Sequence, residues 1–167
     1  IILTASGGPF FFFFPQMRRD VTLEKTLAHP TWNMRAKITV DSATLMNKGF
    51  EVIEAVHLFG VRPEQVNVVV HRESIIHSAV EYIDNSIIAQ MSVPDMRHCV
   101  QYALSHPERC EATTHELDLF EVGKLTFARP DADTFVLLAK AYEAISKGGA
   151  LPAVLNAANE EAVAAFL

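Results

Sequence analysis

The order of apolar and polar residues divides this chain into predicted helices and strands. Helices are predicted where apolar residues recur at spacings of three and four, in residues 42–59, 95–106, 135–147 and 152–167, with a short one in 21–28. Strands are predicted where β-branched residues cluster or alternate with polar ones, in residues 1–4, 37–40, 66–71, 77–84 and 87–91. Asn85 and Ser86 separate the last two strands and indicate a hairpin turn.

Most of residues 9–31 have no clear hydrophobic period and are predicted to form a long loop. The loop follows a Ser-Gly-Gly-Pro turn at residues 6–9, where glycine lets the backbone approach a ligand closely. Long loops within compact domains are often lids over a site. We therefore expect a flap at about residues 10–35.

The predicted elements fall into two parts. Residues 1–126 mix strands with helices, whereas residues 127–167 are helical and Ala-rich towards the end. This order predicts an α+β fold, in which a mixed sheet with packed helices and a long flap loop is followed by the start of an α-helical domain. The first part should carry the functional site, and the second should contain a linker and the beginning of the helical domain.

The segment DSATLMNKGFEVIE, residues 41–54, carries most of the candidate chemistry. Asp41 and Ser42 are favoured N-cap residues, so they predict a helix start that offers N–H groups to an anion. One side of the predicted helix is apolar and should face the core, at Leu45, Gly49, Val52, Ile53, Val56 and Phe59. The other side is polar, at Asn47, Lys48, Glu51 and Glu54. An ammonium, an amide and a carboxylate together suit a phosphate or hydroxyl group and a hard cation.

Three other interpretations of this polar face remain open. It could be an exposed helix face on which Lys48 and Glu51 form an ordinary ion pair. It could belong to a phosphate-binding module without catalysis, in which Glu51 is only the partner of Lys48. It could also belong to a Schiff-base enzyme with Lys48 as nucleophile, but the adjacent Glu51 favours the ammonium form and disfavours this interpretation.

Composition narrows the classes of function. With 167 residues, of which 50% are hydrophobic and 20% charged, the chain can bury a core of about one domain. A net charge of -6 argues against binding to a nucleic-acid backbone. Cys99 and Cys110 fit no metal-ligand spacing and are expected to be reduced thiols in a reducing compartment. No apolar run approaches the roughly 20 residues of a membrane helix.

Six segments together resemble one enzyme family. They are LTASGGPF (3–10), HPTWNM (29–34), KITVDSATLMNKG (37–49), SIIHS (74–78), PDMR (94–97) and LNAANE (155–160). They are collinear with, and similar to, segments of the 1-deoxy-D-xylulose 5-phosphate reductoisomerase family of the non-mevalonate isoprenoid pathway. The resemblance implies conversion of 1-deoxy-D-xylulose 5-phosphate to 2-C-methyl-D-erythritol 4-phosphate with NADPH and a divalent cation, Mg²⁺, Mn²⁺ or Co²⁺.

The resemblance also implies roles for individual residues. Those that would bind the phosphorylated substrate are Ser6, His29, Ser42, Asn47, Lys48 and Glu51. Glu51 would in addition be one of three acidic metal ligands. Trp32 and Met34 would belong to a flap that closes over the substrate, and Arg35 and Met96 would lie beside NADPH.

Part of the family pattern is not in these residues. The resemblance places the other two metal ligands and the Gly-rich dinucleotide-binding domain ahead of Ile1, so we expect a fragment that is inactive alone. It further implies a homodimer in the bacterial cytoplasm or the plastid stroma. The chain departs from the family where Arg35 replaces Gly and where Arg72 and Glu73 replace Pro and Gln. It also departs at residues 10–14, five phenylalanines where polar residues usually follow the first.

Overall fold

The structure is a computed structural model that describes residues 1–11 and 21–167. In chain order its elements are β1 (Ile2–Ala5), α1 (Leu23–Leu27), α2 (Ala36–Ala43), α3 (Met46–Phe59), a 3-10 turn (Pro63–Gln65), β2 (Asn67–Val70), β3 (Ile76–Glu81), β4 (Ile87–Met91), α4 (Met96–Ser105), α5 (Leu119–Val122), α6 (Val136–Lys147) and α7 (Leu151–Phe166). Part of the predicted flap and of the phenylalanine run, residues 12–20, lies outside the described residues.

The four strands form one mixed sheet in the order β2-β1-β3-β4. β1 is parallel to β2 and antiparallel to β3, and β3 is antiparallel to β4. The parallel register sets Ala5 beside Val70, so the segments that follow these residues leave the sheet at the same edge. The predicted α+β class with a mixed sheet and packed helices is confirmed.

The prediction for residues 37–42 is wrong. The sequence pattern predicts a strand at 37–40 and a helix cap at Asp41 and Ser42, but all these residues lie within α2, and α3 begins only at Met46. Tertiary contacts override the β preference of the Ile-Thr-Val sequence because Thr39, Val40 and Ala43 are buried in this helical form. Leu45 has φ of 58°, and this left-handed conformation interrupts the helical backbone between α2 and α3.

The apolar side of α3 is mostly as predicted. Leu45 and Val52 join the core with residues of β1 and α6, and Val56 packs against that core. Gly49 lets α6 approach closely, since a Cβ added at this position would lie 2.7 Å from the Cβ of Ala141. Ile53 is half-buried. Phe59 is 66% exposed, contrary to the prediction, because it is the last residue of α3 and extends past the packed region.

The other elements follow the hydrophobic pattern closely. The strand at 66–71, the hairpin, and the helices at 95–106, 135–147 and 152–167 appear as β2, β3–β4, α4, α6 and α7. Two short described elements had no prediction, the 3-10 turn at Pro63–Gln65 and the single turn of α5. None of the described helices has the length and apolar character needed to cross a membrane. The division at residue 126 stays a prediction.

Candidate active site

A cleft of about 520 Å³ opens where the end of β1 meets the junction of α2 and α3. The segment before α2, β3 and the start of α4 complete its walls. The predicted site residues that line it are Ser6, Trp32, Met34, Ser42, Asn47, Lys48, Glu51 and Met96. His29 is hydrogen-bonded to two of these residues, so the structure brings most of the predicted site together.

The side chains of Ser6 and Ser42 line this cleft and meet that of His29 at its border, and we term these three residues the anion cradle. The Nε2 atom of His29 lies 3.0 Å from Ser6 Oγ and 3.1 Å from Ser42 Oγ. The three residues come from the loop after β1, the loop after α1 and the last turn of α2. The fold thus gathers two hydroxyls and an imidazole from separate segments at one point.

The hydrogen bonds of His29 define its tautomer. Its Nδ1 accepts from the backbone N–H groups of Thr31 at 3.1 Å and Trp32 at 3.0 Å. An accepting ring nitrogen carries no proton, so in the neutral ring the proton is on Nε2. This N–H points to the two serine oxygens, which directs the serine O–H groups to other acceptors, such as a bound anion.

Burial lowers the pKa of His29 below its ordinary value of 6.5, and the positive charge of Arg72 lowers it further. The guanidinium of Arg72 is held beside the cradle, because its Nη1 donates to the carbonyl of Gly8 at 3.3 Å. The fold therefore favours the neutral imidazole. Since the unfolded chain binds this proton more readily, His29 makes the fold less stable as the pH falls below 6.5.

Replacing Arg72 by Gln should raise the pKa of His29, because a nearby positive charge is removed. The measurement is a pH titration of the histidine ring protons by NMR. The pKa of His77 is lowered by burial and by other histidines, not by Arg72, and should stay where it is. Arg62→Gln, at an arginine whose side chain is 76% exposed, is the matched control. An unchanged or lower pKa of His29 in R72Q would contradict this electrostatic account.

The loop after β1 packs directly on the last turn of α2. Gly8 has φ of 59°, in the region that favours glycine. A Cβ added at Gly8 would lie 2.8 Å from the carbonyl oxygen of Ser42 and 3.0 Å from the Cα of Ala43. A larger residue would therefore push apart the two segments that carry Ser6 and Ser42.

Three of the four residues on the polar side of α3, Asn47, Lys48 and Glu51, line the cleft, whereas Glu54 is exposed to solvent. Lys48 is only 9% exposed, which contradicts the interpretation of an ordinary exposed helix face. Its Nζ donates to Glu51 Oε2 at 2.6 Å, while Asn47 Nδ2 donates to Glu51 Oε1 at 2.9 Å. The three side chains form one connected group on the cleft wall.

The described residues do not complete a metal site. Within 1–11 and 21–167, no group of three or more His, Cys, Asp or Glu side chains is arranged to hold an ion. Glu51 offers one carboxylate to the cleft. Mg²⁺ and Mn²⁺ need several oxygen ligands, so this carboxylate does not hold either ion by itself.

Trp32 and Met34 line the cleft from the segment before α2, and Met96 lines it from the first residue of α4. Arg35 is exposed at the N-terminus of α2 and is not among the lining residues. Its backbone carbonyl accepts from the N–H of Thr39 at 3.1 Å. The cofactor-binding role of Arg35 and Met96 stays a prediction.

Ser74 and His77 are among the lining residues that had no predicted role. Ser74 is 7% exposed and has φ of 52°. Its turn is held by the buried His71, whose Nε2 accepts from the N–H of Ile75 at 3.2 Å. Burial lowers the pKa of His77. Both Ser74 and His77 lie in the SIIHS segment, which was the available signal in the sequence.

Comparison with known proteins agrees with this arrangement. Residues 1–59 match the model of the 1-deoxy-D-xylulose 5-phosphate reductoisomerase C-terminal domain, and residues 91–167 match that of the DXP reductoisomerase C-terminal domain. The 1-deoxy-D-xylulose 5-phosphate reductoisomerase of Chlorobium chlorochromatii is 60% identical over 100% of this chain and 44% of its own length. That of Aromatoleum aromaticum is 58% identical over 100% of this chain and 41% of its own length.

Solved structures are similar over almost the whole chain. A crystal structure of DOX-P reductoisomerase in complex with NADPH, fosmidomycin and magnesium has a TM-score of 0.94 and 44% identity, covering 99% of this chain and 40% of that one. The Zymomonas mobilis enzyme in complex with NADPH has a TM-score of 0.92 and 48% identity, and the match covers 99% of this chain and 42% of that one. The chain spans about two fifths of the length of these relatives. It belongs to the 1-deoxy-D-xylulose 5-phosphate reductoisomerase family.

Proposed function

We propose that this chain is the substrate-binding part of an NADPH-dependent reductoisomerase that converts 1-deoxy-D-xylulose 5-phosphate to 2-C-methyl-D-erythritol 4-phosphate. The reaction is proposed for a full-length enzyme that contains this chain. Family membership supports the proposal, and so does the concentration of hydrogen-bond donors in a single cleft.

The anion cradle is proposed to bind the substrate phosphate, together with Asn47 and Lys48. A phosphate group is best held by several hydroxyl, amide and N–H donors around one positive charge. The cradle and these two residues are of those types and line or border the same cleft. Neutral His29 would serve as an N–H donor.

Glu51 is proposed as one ligand of a divalent cation, with the other ligands supplied by parts of the enzyme outside this chain. When bound, the cation would polarise substrate oxygens and NADPH would supply the hydride. Trp32 and Met34 would cover the substrate and exclude water. Arg35 and Met96 would lie on the cofactor side.

The observation that carries the proposal is the convergence of Ser6, His29 and Ser42 within hydrogen-bond distance at the border of the cleft that Lys48 and Glu51 line. A phosphate-binding module without catalysis is the second candidate. The hydrogen bonds of Glu51 favour this second candidate, because both of its carboxylate oxygens already accept from Asn47 and Lys48 on α3. Turnover distinguishes the two candidates.

The test is a chimeric enzyme in which this chain replaces the matching segment of the Chlorobium chlorochromatii relative. We expect oxidation of NADPH that depends on both 1-deoxy-D-xylulose 5-phosphate and Mg²⁺. The 167-residue chain alone should show none, because it supplies one cation ligand and no Gly-rich dinucleotide-binding motif.

A second chimera that carries Arg35→Gly controls for the departure from the family at this position. If both chimeras bind phosphate and neither oxidises NADPH, the binding module is the better description. Turnover by the isolated chain would contradict the proposal that Glu51 is only one of several cation ligands and that the others lie outside this chain.

We further propose a homodimer located in the bacterial cytoplasm or the plastid stroma. Large apolar side chains are exposed on the β3–β4 hairpin, at Ile83, Ile87 and Ile88. Such a surface is typical of an interface between subunits. The two cysteines are free thiols, which agrees with a reducing compartment.

A further inference from the structure

A buried hydrogen bond ties the last turn of α2 to the helix at the other end of the chain. Asp41 is 2% exposed, and its Oδ1 accepts from Asn159 Nδ2 at 2.8 Å. Asn159 lies on α7, 118 residues later, and is 8% exposed. The second oxygen of Asp41, Oδ2, accepts from Lys37 Nζ at 2.6 Å. Asp41 and Asn159 belong to two of the segments that resemble the family, and neither has a role in the proposed site.

Burial makes this contact specific. A carboxylate removed from water must keep its hydrogen bonds, because losing one leaves an unpaired buried acceptor. Asn159 can donate a hydrogen bond to Asp41 only in an orientation that directs its amide nitrogen at the carboxylate. The pair therefore sets the position of Asp41 relative to α7.

The position of Asp41 determines that of its neighbour in the cradle. Ser42 follows Asp41 in the last turn of α2, places its Oγ 3.1 Å from His29 Nε2, and packs its carbonyl against Gly8. α2 has only eight residues, so its conformation depends on tertiary contacts rather than on its own propensity. A shift of Asp41 would therefore carry Ser42 with it.

We propose that Asn159 is a positioning residue that, through Asp41, holds Ser42 in the anion cradle. Affinity for phosphate then depends on α7, although α7 contributes no residue to the cleft lining. As regards the substrate, this inference rests on the proposed function.

The chemistry of the pair provides variants of nearly unchanged shape. Asn159→Asp sets two carboxylates against each other, whereas the double variant D41N/N159D restores one donor and one acceptor in exchanged places. Because the exchange also removes the ion pair of Lys37, Lys37→Met measures the effect of that loss. Asn156→Asp, at an exposed asparagine on the same helix, is the matched control for added charge.

The measurement is titration of the 167-residue chain with inorganic phosphate, followed by NMR at the amides of Ser6 and Ser42. N159D should weaken phosphate binding about tenfold, as expected for loss of a hydrogen bond to a charged group. D41N/N159D should bind within about threefold of K37M, and N156D should bind like the unaltered chain.

Unchanged phosphate binding in folded N159D would overturn the inference, as would equal weakening in N156D. If N159D does not fold, the exchange variant D41N/N159D provides the test. A folded D41N/N159D that binds phosphate about tenfold more weakly than K37M would contradict the inference. In the chimeric enzyme, N159D should raise KM for 1-deoxy-D-xylulose 5-phosphate and leave KM for NADPH unchanged. An inactive chimera would count against the proposed function alone, because the phosphate titration does not depend on turnover.

Discussion

Replacing Glu51 by Gln in the chimeric enzyme should lower turnover by at least about 100-fold, since even outer-shell partners of a metal contribute about 10- to 100-fold. The amide keeps the shape of the side chain and can still bond Asn47 or Lys48, but it lacks the negative charge that a hard cation needs. High Mn²⁺ should restore part of the activity, because the loss of one ligand mainly weakens metal affinity. The measurement is kcat as a function of Mg²⁺ and Mn²⁺ concentration.

Glu54→Gln is the matched control. Glu54 is exposed on α3, three residues after Glu51. Removal of its charge should leave the metal dependence unchanged, and an exposed charge of this kind contributes at most about 1 kcal/mol to stability. If E51Q retains full activity with the same metal dependence as E54Q, Glu51 is only the ion-pair partner of Lys48.

Replacing Gly8 by Ala should remove phosphate binding by the cradle and destabilise the fold. Any non-glycine residue with this positive φ is strained by about 1 to 2 kcal/mol. The new Cβ would also lie 2.8 Å from the Ser42 carbonyl, an overlap with backbone that should add about 1 to 3 kcal/mol. Thermal unfolding and the phosphate titration measure the two effects.

Gly60→Ala separates strain from overlap. Gly60 has φ of 61°, close to that of Gly8, but no atom lies within 4 Å of a Cβ added there. This variant should lose only the strain term of about 1 to 2 kcal/mol and should bind phosphate normally. If G8A and G60A have equal stability and equal phosphate affinity, the packing of the Gly8 loop on Ser42 does not shape the cradle.

Hydrophobic periodicity predicts elements whose burial is one-sided or complete. β2 and α6 are examples, because a β-branched run and a helical apolar stripe each leave a clear pattern. α2 is the counterexample. Its Ile-Thr-Val sequence favours a strand locally, yet contacts with distant segments stabilise a helix. The same misassignment made Asp41 a helix cap, when it is in fact a buried partner of Asn159.

The candidate site was predictable where chemistry and family resemblance coincide, as for Lys48 and Glu51. The burial of Lys48 was not predictable, since its helix face is polar in sequence and is shielded only by the folding of other segments over it. Ser74 and the Asp41–Asn159 bond were missed for a related reason. Neither a serine with a left-handed backbone conformation nor a contact between residues 118 positions apart leaves a periodic signal in the sequence.

The central claim is that Ser6, His29 and Ser42 form the phosphate-binding end of a substrate site. Its most direct test is titration of the unaltered chain with 1-deoxy-D-xylulose 5-phosphate and, separately, with unphosphorylated 1-deoxy-D-xylulose, followed by NMR at the Ser6 and Ser42 amides and the His29 ring. The phosphorylated sugar should bind at least about tenfold more tightly, because charge-assisted hydrogen bonds to the phosphate supply the affinity. It should also shift all three signals together. Equal affinity for the two sugars, or shifts confined to residues outside the cleft, would contradict the account.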